Sequence, residues 1–185
     1  DVSTSMLAED LKPNRLEAAK DVAAEFINGR PNDNIGITLF AGETFTQCPL
    51  TVDHAVLLDM IHNIKCGLIT DGTAVGMGIA NAVTRLKDSK AKSKVIILLT
   101  DGTNNKGDIS PMTAAEIAKS FGIRVYTIGV GTNGMAPYPY PVGNTVQYVS
   151  MPVEIDEKTL TEIAGTTDGN YFRATSNSKL KEVYE

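Results

Sequence analysis

Three short runs of almost uninterrupted apolar residues constrain the fold of this 185-residue chain more than any other feature. They are IGITLFA (35–41), KVIILLT (94–100) and IRVYTIGV (123–130). A strand with one face in water alternates apolar and polar side chains. These runs do not alternate, so they predict strands that are covered on both faces, as in parallel sheets with helical crossovers.

Segments with helical periodicity separate and follow these runs. The predicted helices cover residues 14–29, 52–64, 73–87, 112–122, 157–165 and 178–185. Strands that alternate with helices imply right-handed crossovers. We therefore predict one α/β domain over residues 1–185, doubly wound around a mostly parallel central sheet with helices on both faces, as in Rossmann-like folds. The stretch 43–51, which contains Pro49, predicts one short antiparallel edge strand.

Composition and charge exclude several classes of function. The formal net charge is −5, so a general attraction to nucleic acid is not expected, and the basic stretch 85–94 is interpreted as a solvated helix end. No apolar stretch reaches the ~18–20 residues that span a bilayer, so we expect no direct membrane contact from this domain. Cys48 and Cys66 lack CxxC spacing, and two buried thiols are favoured over one disulfide.

Oxygen-bearing side chains stand where predicted strands end. The chain opens with DVSTSM, in which Asp1, Ser3 and Ser5 occupy every second position and project the same way in extended backbone. Asp101 follows the run KVIILLT, and Thr73 stands at the start of a predicted helix. Because ligand sites in open α/β sheets lie at the carboxyl ends of strands, we expect these side chains to converge. Two carboxylates and three hydroxyls suit Mg²⁺ or Mn²⁺ rather than zinc.

The pattern resembles the metal-ion-dependent adhesion site of the von Willebrand factor A (VWA) domain family. That motif is Asp-x-Ser-x-Ser, then a Thr in a Gly-Thr turn and an Asp in a (T/S)DG strand end. All five positions match, at Asp1, Ser3, Ser5, Thr73 and Asp101. The stretches FAGETFTQCPLT, SKVIILLTDG and MPVEIDEKTL are also similar to the bacterial Bat-type (BatA/BatB-like) proteins, which are named for aerotolerance in Bacteroides.

The resemblance implies a metal-dependent protein-interaction module rather than an enzyme, with an ion that recruits a carboxylate from a partner protein. It also implies a hydrophobic central strand directly before Asp1, so we expect the sequence to be a fragment that lacks this strand and flanking membrane segments. Similar proteins are encoded beside MoxR-type AAA+ ATPases and sister VWA proteins. These are the expected partners, in an assembly linked to aerotolerance or stress at the periplasmic side of the bacterial inner membrane.

Two other functions remain open on the residues alone. An aspartyl-phosphate phosphatase or phosphotransferase would use Asp1 as its nucleophile, although such enzymes typically carry a second acid where this chain has Ser3. A structural scaffold with a relict metal site is the third hypothesis. Nucleotide binding is not indicated, because the GxGxxG match GVGTNG (129–134) is followed by MAPYPYPVG, which cannot open a helix.

Three further features of the sequence give no strong indication of function. His54 and His62 are eight residues apart on one predicted helix, roughly 12 Å in rise, so they cannot share a metal. Asp71 and Asp108 lie near the site in sequence and are interpreted mainly as solvated loop residues. The segment 131–148 is long for a loop, which makes it either a partner-contact surface or an insertion.

Overall fold

The computed structural model describes residues 1–182, in which strands and helices alternate as the apolar runs predict. The strands are β1 (Ile35–Phe40), β2 (Thr44–Thr51), β3 (Lys94–Thr100), β4 (Ile123–Val130), β5 (Gly134–Val142), β6 (Thr145–Val153) and β7 (Tyr171–Ala174). The helices are α1 (Arg15–Asn28), α2 (His54–His62), α3 (Val75–Leu86), α4 (Pro111–Ser120), α5 (Glu157–Thr166) and α6 (Asn177–Glu182), and a 3₁₀ turn spans Thr4–Leu7. The predicted continuation of the last helix over residues 183–185 lies outside the described residues.

The centre of the fold is a parallel sheet in the order β3–β4–β7. β3 and β4 pair without interruption from Lys94 opposite Ile123 to Thr100 opposite Gly129. β7 was not predicted from the sequence. It has only four residues, YFRA, which is too short for a periodicity signal.

Helices cover both faces of this sheet, which explains why its strands lack polar alternation. Ile96 and Leu98 of β3 face a core built with α3, α4 and α5. Ile97 and Leu99, on the opposite face of the same strand, pack into a core with α1. The predicted doubly wound α/β architecture is therefore confirmed.

β1 and β2 form an antiparallel pair, as predicted for the stretch 43–51. Within residues 1–182, β1 and β3 are not paired with each other, and a cleft of about 1010 Å³ lies between them. Apolar side chains of both strands line it, among them Leu39 and Ile97. At one end, the Asp1 nitrogen donates to the carbonyl of Leu99 and the Val2 N–H donates to the carbonyl of Phe40. Residues 1 and 2 thus bond to both strands, as a strand between them would.

The segment 131–148, predicted to be an irregular loop, instead forms most of a two-stranded arm of β5 and β6. Gly143, with φ of +59°, takes the first position of the two-residue turn that joins the strands, where such hairpins need a positive φ. Prolines weaken a strand prediction because they cannot donate to a ladder. Here they take positions where no donation to the partner strand is required, so the pairing is preserved.

Candidate metal centre

The predicted site residues lie together at the carboxyl end of the sheet. Asp1 lies between the ends of β1 and β3, and the 3₁₀ turn Thr4–Leu7 that follows carries Ser5. Asp101 directly follows β3, with its side chain fully buried. Thr73 precedes α3 and is also buried. The parallel topology delivers these groups to one edge, as the strand-end argument predicts.

Four of the five predicted residues are joined by direct contacts between side-chain oxygens. The hydroxyl of Ser3 donates to Asp1 Oδ1 at 2.6 Å and lies 3.0 Å from the hydroxyl of Ser5. The Ser5 hydroxyl in turn donates to Asp101 Oδ1 at 2.8 Å. A continuous line of oxygens therefore runs from the amino-terminal residues to the end of β3.

The spacing of these oxygens fits a small, hard cation. Mg²⁺ bound at 2.0–2.1 Å in an octahedron sets neighbouring ligand oxygens about 3 Å apart. The oxygen separations along Asp1, Ser3, Ser5 and Asp101 are 2.6, 3.0 and 2.8 Å. Among the described residues, no group of three or more His, Cys, Asp or Glu side chains is placed to hold a metal. The cluster instead combines hydroxyl oxygens with two carboxylates, a set of donors that suits Mg²⁺ or Mn²⁺.

Thr73 lies beside Gly102, the residue that follows Asp101. Its Oγ1 lies 3.3 Å from the point that a Cβ on Gly102 would occupy, next to Asp101. Its backbone is fixed, because its N–H donates to the Asn105 side chain at 2.9 Å and its carbonyl accepts from the Asn105 N–H. The Ala74 N–H also donates to Ala41 at the end of β1. The backbone of this turn is thus tied to the loop after β3 and to the end of β1.

A buried arginine, which the sequence analysis did not single out, supports the centre. Arg15, the first residue of α1, is 1% exposed and donates from Nη1 to Asp101 Oδ2 at 2.8 Å. Its Nε and Nη2 donate to the two oxygens of Asp10, each at 2.7 Å. The guanidinium therefore holds one carboxylate of the centre and one carboxylate outside it, in the bidentate geometry that arginine favours.

Asp10 continues this network to the base of the β5–β6 arm. Its Oδ2 accepts from the N–H and the hydroxyl of Thr132, at 2.8 and 3.0 Å. Burial alone would raise the pKa of Asp10, but the hydrogen bonds from Arg15 and Thr132 outweigh it and lower the pKa to about 2. Burial would likewise lower the pKa of Arg15, yet its two carboxylate partners raise it. The charges of Asp10 and Arg15 are therefore both present at neutral pH.

Two further residues brace the amino-terminal segment. The Thr100 hydroxyl donates to Asp1 Oδ2 at 2.6 Å, so both oxygens of that carboxylate are held. Asp71 accepts from the N–H and the hydroxyl of Thr4. Asp71 is thus an exposed loop acid, as predicted, that also holds the turn. A polar residue directly before Asp101 at the end of an apolar run was the available signal for Thr100; for Asp71 only proximity in sequence pointed to the site.

The other candidate groups stand outside the centre or behind it. Cys48 and Cys66 are free thiols, as favoured from the sequence. Cys66 donates to the carbonyl of Ser3, and burial together with the charge of Asp101 raises the pKa of its thiol to about 11. His54 and His62 lie at opposite ends of α2, where the His54 ring contacts the carbonyl of Asp33.

Comparison with known proteins agrees with this architecture. BatB from Bacteroides thetaiotaomicron superposes with a TM-score of 0.87 and 35% identity, over 100% of this chain and 92% of that one. An aerotolerance-related membrane protein from Bacteroides fragilis gives a TM-score of 0.86 and 32% identity, with the same coverage. The chain spans about half the length of the curated bacterial relatives that it matches at about 31–33% identity, namely 51–59%.

A more distant structure is similar in fold. Proximal thread matrix protein 1 from the mussel byssus, in a form whose metal-ion-dependent adhesion site holds zinc, superposes with a TM-score of 0.75. It is 24% identical, over 100% of this chain and 42% of that one. The family comparison matches the von Willebrand factor type A domain over residues 1–185. The chain therefore belongs to the von Willebrand factor type A domain family, a family of protein-interaction and adhesion modules.

Proposed function

We propose that this domain is a metal-dependent protein-interaction module in which a Mg²⁺ or Mn²⁺ ion recruits a carboxylate from a partner protein. The residues that would hold the ion are Asp1, Ser3, Ser5, Thr73 and Asp101. The observation that carries the proposal is the line of oxygen contacts, 2.6–3.0 Å long, that joins the first residue of the chain to the end of β3.

The residues around the centre determine how many oxygens of each aspartate are available to a metal ion. Arg15 occupies Oδ2 of Asp101, and Thr100 occupies Oδ2 of Asp1. Each aspartate therefore turns one oxygen, Oδ1, toward the serines. With two such oxygens and three neutral hydroxyls, the centre supplies fewer than six ligands. A bound Mg²⁺ would supply an electrophilic position that takes a carboxylate oxygen from outside the chain.

Calorimetric titration with MgCl₂ and MnCl₂ tests the metal site. Thr73→Val removes one hydroxyl and keeps the side-chain shape, so we expect metal affinity at least about tenfold weaker than that of the parent chain. Thr84→Val is the matched control, because the Thr84 hydroxyl donates to a carbonyl of α3 on the exposed surface. Equal affinity in the parent and Thr73→Val, or no binding heat in the parent, would refute the site.

Selection from a random peptide library tests recruitment of a carboxylate. Peptides are selected on the immobilised chain in Mg²⁺ and counter-selected in EDTA. We expect an Asp or Glu at one position of the selected peptides, and loss of binding when that acid is changed to its amide. Selected peptides without an acidic position would contradict the recruitment step while leaving metal binding intact.

We propose no catalytic role for Asp1. Its Oδ1 accepts from the N–H and hydroxyl of Ser3, and its Oδ2 accepts from Thr100. A nucleophilic carboxylate would have to break one of these bonds, and the position two residues on carries the hydroxyl of Ser3 instead of a second acid. Turnover of phosphate esters in Mg²⁺ that is lost in Asp1→Asn would reverse this assignment.

We further propose that the domain acts in a membrane-associated bacterial assembly linked to aerotolerance or stress. The neighbour from Bacteroides fragilis is described as an aerotolerance-related membrane protein. Among residues 1–182 no helix is long and apolar enough to cross a bilayer. Sister VWA proteins and a MoxR-type AAA+ ATPase system are the proposed partners, on the periplasmic side of the inner membrane. Purification of the tagged full-length protein from membranes, in Mg²⁺ and in EDTA, tests these partners.

A further inference from the structure

The two outer edges of the β5–β6 arm differ in their capacity to pair with another strand. In an antiparallel hairpin, pairs that bond to each other alternate with pairs whose backbone groups face outward. The turn fixes which pairs are which, because Val142 and Thr145 close the hairpin as its first hydrogen-bonded pair. Every second pair from there turns its N–H and carbonyl groups away from the partner strand. These outward pairs are Pro141 with Val146, Pro139 with Tyr148, Pro137 with Ser150, and Met135 with Pro152. The contact from the Glu9 N–H to the outward carbonyl of Pro137, at 2.8 Å, agrees with this assignment.

Prolines close the outer edge of β5. Pro137, Pro139 and Pro141 occupy three successive outward positions, and none of them has an N–H to donate. The carbonyl of the first already accepts from Glu9. A strand that approached this edge would leave its own carbonyls unpaired, which is a recognised protection against edge-to-edge association.

The outer edge of β6 carries one proline, Pro152 at the end far from the turn, and leaves its three outward positions nearest the turn open. Val146, Tyr148 and Ser150 direct both an N–H and a carbonyl outward, and all three residues are exposed. Within the described part of the chain, no strand other than β5 pairs with β6. Residues 131–153 contain no charged side chain, although 21% of the whole chain is charged. An exposed, uncharged edge of this kind is a template for another strand.

Exposed apolar side chains are also concentrated on the arm. Among residues 1–182, it carries seven of the thirteen large hydrophobic side chains that are exposed: Met135, Tyr140, Val142, Val146, Tyr148, Val149 and Met151. A concentration of exposed apolar side chains is typical of an interaction surface.

We propose that the outer edge of β6 pairs antiparallel with β6 of a second copy of this chain. The register that uses all three open positions places Tyr148 opposite Tyr148 on the two-fold axis and Val146 opposite Ser150. This pairing joins two arms into one four-stranded sheet. It uses none of the metal-centre residues and is independent of the proposed function.

The asymmetry of the arm favours a second copy as the occupant. Each arm has one open edge, so pairing through the arm consumes both of these edges and leaves the proline edges of β5 outside. Assembly therefore stops at two copies with closed two-fold symmetry instead of continuing into a filament. Residues 131–153 carry no charge, so the paired strands bring together no like-charged side chains of their own; Glu9, from outside the arm, contacts the Tyr148 hydroxyl of its own chain.

Sedimentation equilibrium in EDTA, over roughly 10 µM to 1 mM chain, tests the pairing, because a small interface gives a weak complex. We expect the mass to rise with concentration from 19.8 kDa toward twice that value. Ser150→Pro removes one outward N–H and none of the bonds to β5, and it copies the device already present in β5. It should remain monomeric at 1 mM, whereas Ser150→Ala should dimerise as the parent does.

A second variant controls for the possibility that Ser150→Pro loses dimerisation because it misfolds. Ser150→Lys keeps the N–H and adds a charge to the edge, and it should weaken dimerisation at least about tenfold. Circular dichroism checks that each variant keeps the parent spectrum. A parent chain that stays at 19.8 kDa at 1 mM would overturn the proposal, and so would dimerisation of Ser150→Pro equal to that of the parent or growth beyond two copies.

Discussion

Arg15 donates to Asp101 across 2.8 Å while both side chains are almost completely withdrawn from solvent, at 1% and 0% exposure. A buried charge is tolerated when it is paired and hydrogen-bonded. The same guanidinium binds Asp10, so one cation serves a carboxylate of the metal centre and a carboxylate tied to the arm. The centre is therefore supported by an ion network that reaches the base of the arm.

Arg15→Met should destabilise the fold strongly. The substitution keeps much of the apolar stem but leaves two buried carboxylates without their cation, so we expect a loss of about 3–5 kcal/mol in the free energy of unfolding. Urea denaturation measures it. Arg173→Met is the matched control, because the ion pair of Arg173 with Glu157 is about one third exposed and should contribute about 0.5 kcal/mol. Similar losses in the two variants would show that the buried network does not stabilise the fold.

Gly131→Ala should disturb the same network from the end of β4. A Cβ on Gly131 would lie 2.5 Å from Cζ of Arg15, and the residue has φ of +115°. Gly134 has φ of +112°, and a Cβ added there would meet nothing within 4 Å, so Gly134→Ala reports backbone strain alone. We expect the free energy of unfolding to fall by ~1–2 kcal/mol in Gly134→Ala and by at least ~2 kcal/mol more in Gly131→Ala. Thermal unfolding of both variants tests the difference, and equal losses would contradict it.

Acid should destabilise the parent chain through Asp10. The pKa of Asp10 is about 2 when folded and 3.8 in its ordinary state, so its contribution is complete above about pH 4 and is lost as the pH falls toward 2. The difference between these two pKa values corresponds to about 2 kcal/mol in the free energy of unfolding. Urea denaturation of parent and Asp10→Asn should therefore show a gap at pH 7 that narrows between pH 4 and pH 2.5. Asp33→Asn, at an exposed ion pair, is the control and should show no such narrowing.

A further strand supplied to the cleft between β1 and β3 should stabilise the domain. Asp1 and Val2 already bond to both strands, and the cleft is lined with apolar side chains such as Leu39 and Ile97. We propose that this is the position of the central strand expected before Asp1. Adding five or six Val and Ile residues before Asp1 should raise stability by at least ~3 kcal/mol, roughly 6–12 °C in Tm. An extension of equal length made of Gly and Ser is the control, and equal Tm values would contradict this position.

The prolines of the arm show where sequence reasoning misled. PYPYP indicates irregular structure, because a proline inside a strand usually removes a ladder bond. In β5 the prolines alternate with residues that bond to β6, so no ladder bond is lost. The turn at Gly143 and the opposite strand determine which residues of β5 bond to β6. The sequence pattern of β5 contains no information on either of them.

By itself, the sequence determined the strand–helix alternation and the composition of the centre. Short continuous apolar runs separated by helices are buried most readily as parallel strands. The Asp-x-Ser-x-Ser pattern lies within five consecutive residues, so it is visible in the sequence alone. Only the tertiary structure decided that each aspartate keeps one oxygen for the serines and gives the other to a different partner. Thr100 and Arg15 make that choice across 99 and 86 residues of chain. Hydrogen bonds over such separations depend on how the strands and helices pack, so no local pattern can express them.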